Sequence, residues 1–73
     1  MSALPILSGE NCIQILCGGG YVVTRQKGSH VRLICAGRPP VTVPLHAELD
    51  RGTLRAIIRT TGMSIDEFIG LKL

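Results

Sequence analysis

The residues of this chain that could do chemistry crowd into one stretch, Arg25-Gln26-Lys27-Gly28-Ser29-His30-Val31-Arg32, which sets one histidine among cations. Imidazole exchanges protons near neutral pH, and guanidinium and ammonium groups hold anions. Together they suit chemistry at a phosphodiester. The same residues could equally form a solvated surface hairpin, and the stretch alone does not separate the two readings.

Two β-prone runs must position these groups. Tyr21-Val22-Val23-Thr24 and Val31-Arg32-Leu33-Ile34-Cys35 flank an X-Gly pair, which signals a hairpin. With Lys27-Gly28 as a two-residue loop, Gln26 faces Ser29, Arg25 faces His30, Thr24 faces Val31, Val23 faces Arg32 and Val22 faces Leu33. A longer loop would break this register. Alternation puts Val31, Leu33 and Cys35 on the core face and His30, Arg32 and Ile34 on the wetter one.

The remaining elements read as support. Ser8 can cap a first helix, with Glu10 in its first turn and Cys12, Ile13, Leu16 and Cys17 at helical spacing toward the core. Gly18-Gly19-Gly20 stops it. Ala36-Gly37-Arg38-Pro39-Pro40 turns the chain into a third strand, Val41-Thr42-Val43, which Pro44 ends; the flanking prolines suit an edge strand or the ends of a short one. Residues 45–49 form a connector carrying His46 and Glu48. Asp50 then caps a second helix whose Leu54, Ile57, Ile58 and Thr61 make an apolar stripe. Arg51, Arg55 and Arg59 form a basic row on that helix, which would be either a solvated face or a track for phosphates. Gly62 ends it. Ser64 and Glu67 have the spacing of a capping box for a short third helix, with Met63 and Phe68 as a hydrophobic staple.

Seventy-three residues allow one domain, 1–73, with one small core. The fold class expected is α+β: a two-layer sandwich of helix, three-stranded antiparallel sheet and helix, plus a short C-terminal helix. The net charge of +3 favours an anionic partner. No apolar run approaches the roughly 20 residues of a membrane span and the N-terminus lacks a signal-peptide pattern, so a cytoplasmic protein is expected. The cysteines, Cys12, Cys17 and Cys35, are odd in number and lack a Cys-x-x-Cys pair; they read as small buried hydrophobes. The carboxylates are scattered, none at ligand spacing from a histidine, so neither metal nor cofactor is expected.

Four blocks carry a resemblance. Gly28-Ser29-His30-Val31-Arg32-Leu33, Val41-Thr42-Val43-Pro44-Leu45-His46, Gly52-Thr53-Leu54-Arg55-Ala56-Ile57-Ile58-Arg59 and Gly62-Met63-Ser64 stand in the order and spacing of HicA-type toxins. These are the mRNA interferases of HicA/HicB toxin–antitoxin systems. The resemblance runs from about residue 4 to residue 71. It implies a fold similar to double-stranded RNA-binding domains, an RNA-cleaving activity and a HicB-type antitoxin partner covering the hairpin. It implies a monomer that assembles with the antitoxin. The family's catalytic histidine lies in a Gly-Ser-His motif matched here by Gly28, Ser29 and His30. The chain departs from the family pattern at Cys12, Cys17 and Pro39-Pro40, where relatives often carry lysine or arginine, and substrate grip is expected to be weaker.

Cutting RNA without a metal means removing a 2′-hydroxyl proton, stabilising a charged phosphorane and protonating the leaving 5′-oxygen. His30 is the candidate acid/base. Gly28 would shape the turn, Ser29 donate to a phosphate oxygen, and Arg25, Lys27 and Arg32 hold the RNA backbone. His46 could supply the complementary proton, although a structural place in the connector suits it better; Arg55 and Arg59 are further auxiliary candidates. A non-catalytic RNA-binding module and a purely protein-binding domain are the competing functions.

Overall fold

The structure, a computed structural model, describes residues 3–71. Residues 1, 2, 72 and 73, which the single-domain expectation also takes in, lie outside the described residues. The elements run α1 (Gly9–Gly18), β1 (Val22–Lys27), β2 (His30–Cys35), β3 (Arg38–Pro44), α2 (Arg51–Thr61) and α3 (Ile65–Gly70). The antiparallel sheet has the order β1-β2-β3. Helices α1 and α2 pack on β3, with α1 also reaching β1. This is the α+β arrangement expected.

The core explains the layering. Val31 and Leu33 of β2 and Val41 and Val43 of β3 are buried beneath Cys12, Ile15 and Leu16 of α1 and Leu54, Ile57 and Ile58 of α2, and Phe68 of α3 closes the cluster. The apolar stripe of α2 is the one its periodicity predicts. On α1 the stripe is rotated: Ile15 is buried and Cys17 is exposed, the reverse of its expected place in the core. A ten-residue helix offers too few repeats for spacing to choose between adjacent flanks. Of the other thiols Cys12 is buried, where desolvation pushes its pKa up to about 12, and Cys35 is half-buried.

Local signals set the ends of the helices. The Ser8 hydroxyl accepts the Asn11 N–H, and Gly62 ends α2 at φ 81°, a left-handed conformation that glycine adopts without a Cβ penalty. Ser64 and Glu67 complete both halves of the capping box. Strand β3 starts earlier than expected, because only Ala36-Gly37 turn and Arg38 already pairs with Cys35. Pro39 and Pro40 sit where the register of β3 is irregular, and as part of an edge strand they lose no ladder bond on the open side. Arg38 also donates to the Thr61 carbonyl at 2.8 Å, placing a cation at the negative end of α2.

Asp50 caps α2 by accepting the Thr53 N–H at 2.7 Å. That backbone bond, helped by the Thr53 side chain and by nearby His46, holds the carboxyl pKa below its ordinary value against slight desolvation. A folded-state pKa below the unfolded one means the cap contributes fully above the ordinary carboxylate range. Its contribution is lost as pH falls through the lowered value. Asp50→Asn keeps an acceptor but not the titration. A denaturant series across acid pH should show a flatter acid limb for the variant and near-equal stability at neutral pH.

Candidate nucleic-acid interface

The turn that carries the site is not the one X-Gly suggested. Gly28-Ser29 are the loop residues, with Gly28 at φ 60° and Ser29 outside the positive-φ region. Glycine at the first central position is the pattern of a type II′ turn, whereas an X-Gly loop puts it second. Lys27 therefore faces His30 and Arg25 faces Arg32, in place of the expected Arg25–His30 pair. A β-bulge at Thr24 then shifts the register, so Val23 faces Leu33 and Val22 faces Ile34. A one-residue slip turns a strand over. Val22, expected on the core face opposite Leu33, points to the open face instead.

Small bonds hold this geometry. The Gln26 side chain donates to the Gly28 carbonyl at 3.0 Å across the turn, and the Thr24 hydroxyl donates to the Arg32 carbonyl at 3.3 Å across the bulge. The Leu45 N–H donates to the Ser29 carbonyl at 2.7 Å, tying the turn to the connector that follows β3.

On the sheet face away from the helices, Arg25, Lys27, His30, Arg32 and Thr42 line an open depression of ≈ 160 Å³. His30 is exposed, on the wetter face as alternation required. Ladder geometry sets Lys27 about 5.5 Å from His30 and Arg25 about as far from Arg32, backbone to backbone, with about 6.7 Å between the two rows. Among the described residues, no acidic side chain lines the depression. Like charges directly opposite in a ladder destabilise it. Arg25 against Arg32 is such a pair. An anion seated between them removes that repulsion.

Thr42 was not legible as a site residue. It faces Arg32 across β2–β3 and joins the cation set in lining the depression. Its alternation with Val41 and Val43 signalled an outward side chain, but only the strand register brings it to this spot.

The auxiliary candidates lie elsewhere. His46 is exposed in the connector and does not line the depression; its carbonyl accepts the Gly9 N–H at 2.9 Å, and its charge acts on Asp50. Arg55 and Arg59 are exposed on α2, in the helical layer, also outside the lining. Among the described residues, no three His, Cys, Asp or Glu side chains gather as a metal site, and no helix is long and apolar enough to cross a membrane. A larger depression of ≈ 420 Å³ beside α1 has no titratable group among the described residues that line it.

Comparisons with known proteins agree with this layout. Residues 9–63 match the family model described as the HicA toxin of bacterial toxin–antitoxin systems. A solved chain from a toxin–antitoxin complex of Streptococcus pneumoniae is similar at 33% identity with a TM-score of 0.67, over 77% of this chain and 97% of that one. No curated protein matches.

Proposed function

This chain belongs to the HicA toxin family of bacterial toxin–antitoxin systems, and from that membership we propose that it is an endoribonuclease acting on mRNA without a metal or the ribosome. Its place of action is the cytoplasm, and a HicB-type antitoxin keeps it inactive by covering the sheet face that bears His30. The observation that carries the reading is the uncompensated cation set facing the solvent around one exposed histidine.

In the proposed reaction a ribose 2′-oxygen attacks the adjacent phosphorus and the bond to the 5′-oxygen breaks, leaving a 2′,3′-cyclic phosphate and a 5′-hydroxyl. His30 takes the 2′ proton or delivers one to the departing oxygen, and water carries the proton at the other position. Lys27, nearest to it across the ladder, and the Arg25/Arg32 pair stabilise charge on the phosphorane. Thr42 in the lining and Ser29 in the turn, outside the lining, add hydroxyl donors, and Gly28 sets the turn that carries Ser29. His46 keeps a structural role in the connector. The only tyrosine and phenylalanine, Tyr21 and Phe68, are buried and the chain has no tryptophan. RNA bases therefore have no phenyl, phenol or indole ring to stack on, and the strand is gripped chiefly through its phosphates.

That grip is measurable. In a His30→Ala background, where RNA stays intact, the logarithm of affinity should fall linearly with the logarithm of salt concentration. Converting Arg25, Lys27 and Arg32 together to glutamine should lower the slope by about 2, at about 0.7 for each phosphate no longer neutralised. An unchanged slope by fluorescence anisotropy would place the RNA on another surface.

A further inference from the structure

The open sheet face has a second half, outside the lining of the basic depression. Val22 and Ile34 face each other across β1–β2 and are 60% and 47% exposed, on the same side as Arg25 and Arg32. Ile34 lies two residues beyond Arg32 on its strand, about 6.7 Å away. The face thus carries cations at the turn end and a branched aliphatic pair at the far end. The bulge at Thr24 brings Val22 to this side.

An aliphatic pair is a poor RNA contact: it offers neither a stacking plane for bases nor a donor for phosphates. It is exposed apolar surface that a protein's own apolar side chains gain by burying. A second copy of this chain is disfavoured as the occupant, because in neither orientation do two such faces bring a carboxylate of their lining to the cations. Charge complementarity selects an acidic protein, and the similar chain solved in a toxin–antitoxin complex supplies the kind of partner.

We infer that Val22 and Ile34 form an antitoxin-specific anchor, where apolar side chains of the antitoxin dock while its carboxylates cover the cation end. The inference rests on the antitoxin reading proposed above. It makes RNA and antitoxin compete for Arg25, Lys27 and Arg32 while only the antitoxin holds the aliphatic pair.

The test pairs Val22→Thr/Ile34→Thr with Arg25→Gln/Lys27→Gln, each measured for RNA cleavage and for binding to the antitoxin subunit of this chain's own operon by calorimetry. Threonine keeps the β-branched shape suited to a strand. The double threonine variant should cleave RNA at the wild-type rate and bind the antitoxin about 10- to 100-fold more weakly, whereas the double glutamine variant should lose in both assays. Matched thermal melts confirm that the variants fold. Undiminished antitoxin binding by the threonine variant would overturn the anchor and leave the RNA-cleaving reading intact. Loss of RNA cleavage by it would put the pair inside the RNA footprint and overturn the anchor equally. Failure of the wild-type chain to bind the antitoxin would overturn the antitoxin reading and the anchor with it.

Discussion

His30→Ala is expected to bind RNA with nearly wild-type affinity and to turn it over at least about 10²-fold more slowly. The side chain is exposed on an open sheet face, so its removal leaves the core untouched, and a surface substitution of this kind shifts stability by only about 0.5 kcal/mol. In the proposed reading affinity rests on Arg25, Lys27 and Arg32, which the variant keeps. Binding and turnover should therefore separate, as seen by anisotropy and by gel-resolved decay of a labelled transcript. Equal decay by the variant would remove His30 from the chemistry. Binding without turnover by the wild-type chain as well would favour a non-catalytic RNA-binding module.

The second large effect is expected far from the site, at Gly9→Ala. A Cβ built on Gly9 would fall inside the Pro44 carbonyl oxygen and 2.9 Å from the Leu45 Cα. Both obstacles are backbone, so neither can swing aside. Alanine improves helix propensity by about 1 kcal/mol, but the clash costs about 3 kcal/mol or more, and the clash wins. A domain of this size has roughly 4–11 kcal/mol to lose. Gly52→Ala is the control: a Cβ there meets nothing closer than the Asp50 Oδ1 at 3.5 Å, and the change should stabilise α2 by about 0.5–1 kcal/mol. Urea midpoints should move in opposite directions for the same chemical substitution. The Gly9 effect also reaches the site, because Gly9 donates to His46 and Leu45 donates to Ser29, next to His30.

The two predictions mark what the chain discloses unaided. The caps at Ser8, Asp50 and Ser64 and the stop at Gly62 act through residues one turn away, so a local reading finds them. The open face of β2 is likewise local, since alternation alone separates His30 and Arg32 from Val31 and Leu33. The partners across the ladder are not local. Lys27-Gly28 and Gly28-Ser29 are both acceptable loops, because glycine suits either central position, and the choice between them decides which cation faces the imidazole. The Thr24 bulge is invisible to a pattern of apolar residues, yet it turns Val22 outward. Gly9 looks like an ordinary first helical residue until β3 and the connector pack against it. Thr42 joins the site for the same reason, through a pairing with Arg32 that a distant stretch of chain supplies.

The central claim is that His30, seated among cations, moves a proton in an attack by the 2′-oxygen on phosphorus. It is tested most directly by offering the purified chain, in chelator, one RNA strand and the same strand with every 2′-hydroxyl methylated, and identifying the ends by mass spectrometry. The account predicts 2′,3′-cyclic phosphate and 5′-hydroxyl ends from the RNA, and a methylated strand that is bound and left whole. Cleavage of the methylated strand at a comparable rate would contradict it.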